Sequence, residues 1–137
     1  MAALEFVDTN ILIYAQDGGA GVKHKKAVEL LTRLVHSDAG AVNTQVLAEF
    51  YSAATKKMGM SSQEAEAVIA DMSPWTIHRP AHPDLIQAAR LQRRYKISWW
   101  DALILQSAVA MYCGILWTED LAQGQRYGTV TARNPFS

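Results

Sequence analysis

Short apolar runs, two to four residues long, recur along the chain and alternate with longer segments of helical periodicity. Leu4 to Val7 is the first run, broken only by Glu5, and suits a buried strand. Ala41-Val42, Trp75 to Ile77, Ile115 to Trp117 and Thr129 to Thr131 are the others. Ile11 to Tyr14 reads as a short helix, and Gly18, Gly19 and Gly21 mark a loop. Lys23 to Val35 carries Ala27, Leu30, Leu31 and Leu34 at spacings of three and four, a helical face. Thr44 is expected to N-cap a helix over Gln45 to Lys57, with Lys56 and Lys57 complementing its C-terminal dipole and Gly59 ending it. Ser61 and Glu64 form a capping box for a helix through Met72. Pro83 suits the start of a helix ending near Tyr95. Ser98 with Asp101 resembles a second box, opening a helix from Trp99 to Tyr112 with Gly114 at its C′ position. Strands alternating with helix pairs predict an α/β sandwich with a largely parallel sheet.

Composition narrows the class. The 137 residues are the size of one domain, expected over 1–137, and no repeat or linker divides them. Half the residues are hydrophobic and 19% are charged, which excludes a disordered chain. Thirteen basic and 13 acidic residues cancel, which excludes a polybasic protein that grips phosphates by bulk charge. The single cysteine, Cys113, forms no internal disulfide and reads as a buried small apolar residue. The first residues lack the basic and apolar regions of a signal peptide. The longest apolar stretch, Ala102 to Ile115, is too short to span a bilayer and reads as a buried helix. A cytoplasmic protein with no membrane partner is the expectation.

In an open parallel sheet, ligands bind beyond the carboxyl ends of the strands. Asp8 ends the first run, and Thr118-Glu119-Asp120 follows Ile115 to Trp117. If those strands are neighbours, Asp8 and Asp120 meet. Glu49 shares a helical face with Val46 and Ala53, and Asp101 lies in the first turn of a helix apolar nearly all round. A charge on such a helix needs a partner or a cation. Each acid also has an ordinary use: helix cap for Asp8, solvated residue for Glu49, capping-box member for Asp101, turn residue for Asp120. Four acids at one predicted end of one sheet are harder to explain separately. Two unit charges about 4 Å apart repel by roughly 4 kcal/mol at an effective dielectric near 20. Several such pairs must either hold protons or bind a cation. Oxygen-only ligands favour Mg²⁺ or Mn²⁺, and such ions in a carboxylate cluster suit phosphodiester hydrolysis.

Asp8-Thr9-Asn10-Ile-Leu-Ile-Tyr14, Thr44-Gln-Val-Leu-Ala-Glu49, Ser98-Trp-Trp-Asp101-Ala-Leu-Ile104 and Leu116-Trp-Thr118-Glu119-Asp120-Leu121 resemble the four signatures of PIN domains, in order. The length resembles the VapC toxins of type II toxin–antitoxin systems. The resemblance implies a five-stranded α/β/α sandwich and an endoribonuclease dependent on Mg²⁺ or Mn²⁺, with one or two ions. It carries over Asp8, Glu49, Asp101 and Asp120 as catalytic and metal-binding acids, with Asp8 and Asp101 as main ligands. Asn10, Thr118 and Glu119 carry over as supports. It implies an RNA substrate, a small antitoxin partner, and a homodimer or larger toxin–antitoxin assembly. The helices at Lys23 to Val35, Thr44 to Lys57 and Ser61 to Met72 offer apolar surface for those contacts.

Lys23, Lys25, Lys26, Arg93, Arg94 and Arg126 are candidates for holding the RNA backbone, against the alternative of ordinary solvated helix faces. Cations at the start of a helix oppose its dipole, which favours an outside partner for Lys23 to Lys26. Trp99 and Trp100 read as packing beneath a helix start, with stacking on a base as the alternative. His24, His36, His78 and His82 read as surface or capping residues. Setting the four acids aside leaves nine against 13 bases, so a balanced total is compatible with an acidic pocket in a basic surface. Two other classes compete: a non-catalytic RNA- or partner-binding module on the same fold, and a receiver-type phosphoacceptor domain. The latter expects a Lys after a late strand, and none follows Lys96.

Overall fold

The computed structural model describes residues 3–137, so the first two residues of the expected 1–137 span lie outside the described residues. Among the described residues, six strands form one sheet: β1 (Glu5–Val7), β2 (Gly40–Asn43), β3 (Thr76–His78), β4 (Ile115–Trp117), β5 (Arg126–Tyr127) and β6 (Val130–Arg133). Their order is β3-β2-β1-β4-β6-β5, with all neighbours parallel except the β5–β6 hairpin. Six α-helices among the described residues flank it: α1 (Thr9–Gln16), α2 (Val22–Ser37), α3 (Thr44–Lys57), α4 (Ser62–Asp71), α5 (His82–Tyr95) and α6 (Trp99–Ala110). Contacts of α1 with α2 and α3, and of α3 with α4, build one layer; α5 and α6 pair as another. The sheet core is Phe6, Val7, Ala41, Val42, Leu116, Val130 and Ala132, all fully buried.

The α/β/α sandwich agrees with the expected class, with one strand more than the five expected. The addition is β5, two residues joined to β6 through Gly128 at φ +65°. Such a short hairpin arm has no periodicity to read. Thr44 is not the cap of α3. Asn43 is: its side chain accepts the Val46 N–H at 2.8 Å, and its amide donates to Ser107 Oγ on α6 at 2.7 Å. Both residues are good cappers, and the contact with α6 selects Asn43. The Ser61–Glu64 box forms as expected. Gly114 is not the C′ residue of α6. The helix is capped at Met111, Tyr112 takes the left-handed conformation at φ 57°, and Gly114 N–H instead joins Leu4 O at 3.0 Å. Trp75 lies outside β3 and packs on Gly40, where an added Cβ would sit 2.5 Å from the indole.

His78 is neither a surface nor a capping residue. Half-buried at the end of β3, its Nδ1 meets Ser107 Oγ at 2.8 Å and its Nε2 lies 3.6 Å from Asp84 on α5. With Asn43 and Gln106, these residues tie the ends of β2 and β3 to α5 and α6. Cys113 is buried, and burial pushes its thiol up to about 12. No helix among the described residues is long and apolar enough to cross a membrane.

Candidate active site

The strand order reverses at β1, whose neighbours are β2 and β4. Pairing of Val7 with Trp117 sets the next residues, Asp8 and Thr118, side by side at the carboxyl edge. Asp8 caps α1, its Oδ1 accepting the Thr9 N–H at 2.7 Å. Its Oδ2 accepts from Thr118 Oγ1 at 2.8 Å, and that hydroxyl oxygen accepts the Asp120 N–H at 3.0 Å. Thr118 is buried and so links the two acids. Asp101 stands in the first turn of α6, where its N–H donates to Ser98 Oγ at 3.1 Å. Unlike Glu64 in α4, its carboxylate does not complete a capping box and is free to face the strand ends.

One carboxylate oxygen from each of Asp8, Asp101 and Asp120 lies within 4.8 Å of the others. These residues share a pocket of about 220 Å³ with Thr9, Asn10, Gln45, Glu49 and Trp100. Burial raises Asp8 to about 7 despite its two hydrogen bonds, and the charges of Asp120 and Asp101 add to the shift. Asp120 is raised for the same reasons: burial first, then Asp101 and Glu119. Left alone, Asp8 is partly protonated near neutral pH, and a cation would displace that proton. Three converging oxygen donors fit a hard divalent ion, and no nitrogen or sulfur ligand competes in the cluster.

Glu49 lines the pocket but stands outside the close cluster. It is exposed and held at both oxygens, by Thr9 Oγ1 at 3.2 Å and Gln45 Nε2 at 2.6 Å. Asn10 donates to Asp120 Oδ2 at 3.3 Å. Glu119 turns away from the cluster, and its carboxylate accepts from Tyr14 Oη at 2.8 Å and pairs with Lys23 Nζ at 3.0 Å. Lys23 therefore has a partner inside the chain. Lys25 and Arg126 are exposed, Lys26 is half-buried, and Arg93 and Arg94 are exposed in the last turn of α5. Trp99 is half-buried. Trp100 does not pack beneath the helix: it is 64% exposed and lines the pocket.

Sequence reasoning missed Thr9, Gln45, Tyr14 and Lys23 as residues that hold the acids. The signals were spacing: Gln45 precedes Glu49 by four on α3, and Tyr14 follows Asn10 by four on α1.

Fold and cluster together define a parallel-sheet α/β protein with three convergent carboxylates at its topological switch point. A family model described as PIN domain matches residues 6–127, and the chain belongs to that family. Among solved structures, it is similar to VapC20 of Mycobacterium tuberculosis, described as a sarcin–ricin-loop-cleaving toxin, with 20% identity and a TM-score of 0.68 over 85% of this chain and 89% of that one. It is similar to a toxin–antitoxin complex from Klebsiella pneumoniae, with 22% identity and a TM-score of 0.67 over 96% and 97%. It is also similar to VapBC2 of Rickettsia felis bound to a promoter DNA fragment, with 19% identity and a TM-score of 0.69 over 96% and 98%. No curated protein matches the chain by sequence.

Proposed function

We propose that this protein is a metal-dependent endoribonuclease and the toxin of a toxin–antitoxin pair, acting in the cytoplasm. The observation that carries the reading is the approach of Asp8, Asp101 and Asp120 to within 4.8 Å of one another at the carboxyl edge of the sheet. These three carboxylates would hold Mg²⁺ or Mn²⁺, one ion or two. When bound, the ion lowers the pKa of an attacking water and stabilises charge on the phosphate and leaving oxygen. Burial raises the Asp8 carboxyl to about 7, so it is only partly ionised near neutral pH when no ion is bound. Thr118 orients Asp8 through its hydroxyl and Asp120 through the backbone N–H. Glu49, fixed by Thr9 and Gln45, is the proton acceptor for the attacking water. Exposed Arg93, Arg94, Arg126 and Lys25, with half-buried Lys26, hold flanking phosphates. Lys23 drops out of that set because Glu119 already holds its ammonium.

The partners we assign are an antitoxin, supported by a neighbour described as a toxin–antitoxin complex, and a second copy of the chain. An apolar groove of about 310 Å³, lined by Leu12, Leu31, Val35, Val68, Met72 and Trp75, gives α1, α2 and α4 a surface for the antitoxin. The test is incubation of the purified protein with total RNA and Mn²⁺ or Mg²⁺, followed by mapping of new ends. Cutting that stops on chelation and returns with metal supports the reading. Binding of RNA with intact strands under all these conditions would establish a non-catalytic module instead.

A further inference from the structure

Glu119 and Asp120 are consecutive acids, yet only one faces the cluster. We infer that Tyr14, Lys23 and Phe136 form a clamp on Glu119 that sets the position of the Asp120 carboxylate, and with it the affinity of the site for a divalent cation. The inference rests on the metal-dependent reading given above.

Asp120 sits in an irregular segment between β4 and β5 and is exposed. Its own anchors are few: the Asn10 amide at 3.3 Å and the bond from its N–H to Thr118 Oγ1 at 3.0 Å. Its neighbour is held firmly. Glu119 accepts from Tyr14 Oη at 2.8 Å on one oxygen and from Lys23 Nζ at 3.0 Å on the other. Asn10 and Tyr14 are one turn apart on α1, so one helix face contacts both acids in turn. Lys23 also lies 4.9 Å from the Tyr14 ring centroid and 5.4 Å from that of Phe136, and the two rings meet edge to face at 5.1 Å. Phe136 is itself held, its N–H donating to Asn134 Oδ1 at 2.8 Å, and the Asn134 N–H donates to Gln123 Oε1.

A lysine in the first turn of α2 opposes the helix dipole, so Lys23 is not there for the helix. Its role is Glu119. A free Glu119 would compete with Asp120 for the pocket and add like charge to three crowded carboxylates. The clamp keeps its carboxylate out of the pocket and pairs its charge with Lys23. These are positioning residues, since none belongs to the carboxylate cluster.

The test is calorimetric titration of Mn²⁺ into the full chain. Removing groups that orient metal ligands typically weakens affinity by about 10–100-fold. The double variant Tyr14→Phe/Lys23→Met is expected to raise the Mn²⁺ dissociation constant about tenfold, and Lys23→Arg to stay within about threefold of the parent. A cycle separates positioning from general loosening: in an Asp120→Asn background, the double variant is expected to cause no further loss. If the double variant does not fold, Lys23→Gln takes its place in the same cycle. Affinity unchanged in the clamp variant, or an equal loss with and without Asp120, overturns the clamp alone. A parent protein that binds no Mn²⁺ overturns the clamp together with the functional reading beneath it.

Discussion

At the scale of the residue, the site is governed by burial of one carboxyl. Asp8 moves from its ordinary 3.8 to about 7 because its charged form is cut off from water. Between those values the folded chain holds a proton that the unfolded chain has released. The group's contribution to stability is full below about pH 4, declines as pH rises toward 7, and stays low above that. Asp8→Asn cannot ionise and escapes the decline. Without metal, the variant is expected to gain on the order of 1–4 kcal/mol over the parent at pH 8 and nothing at pH 4. Urea unfolding at the two pH values measures this. Equal differences at both would mean that Asp8 carries no buried-charge penalty. The position of Asp8 after an apolar run was legible in the sequence, because strand ends point to the ligand edge. That Asp120 rather than Glu119 would face it followed from the resemblance to PIN domains, and not from the spacing of these two neighbours. That choice is made by Tyr14 and Lys23, 105 and 96 residues away in the chain.

At the scale of the element, local signals and distant contacts divide the work. The Ser61–Glu64 box was legible because both partners lie within one turn. The cap of α3 was not, because Asn43 and Thr44 are both suitable and Ser107 on α6 decides between them. That bond also joins the helix carrying Glu49 to the helix carrying Asp101, so the cap serves the site as well as α3. The chain entering β2 shows a second long-range choice. Gly40 lies against Trp75, with no space for a Cβ. Gly40→Ala is expected to cost about 1–3 kcal/mol by displacing the indole. Urea unfolding would show it as a lower midpoint at unchanged slope. A midpoint unchanged from the parent would mean that Trp75 moves aside freely.

At the scale of the whole molecule, a neutral chain places four of its 13 acids, Asp8, Glu49, Asp101 and Asp120, around one pocket. The sheet order brings β1 and β4 together and α6 supplies Asp101 beside them, so residues more than 90 apart in the chain share one pocket. A cation binds the ionised form of these groups and displaces their protons, so its effect grows with pH. At a hundredfold excess over its dissociation constant, a ligand of the folded state stabilises by about 2.7 kcal/mol. Equal Mn²⁺ is therefore expected to raise the melting temperature more at pH 8 than at pH 5. A larger rise at pH 5 would point to binding elsewhere. The most direct test of the site as a whole is the single-turnover rate of RNA cleavage at saturating Mn²⁺, compared between Asp120→Asn and Glu119→Gln. The geometry predicts a loss of about a hundred- to a thousandfold for Asp120→Asn, typical of removing a preorganised electrostatic group. It predicts less than about tenfold for Glu119→Gln, which keeps hydrogen-bonding capacity toward Tyr14. The reverse order, or full activity in Asp120→Asn, would contradict the assignment of Asp8, Asp101 and Asp120 as the cleavage site.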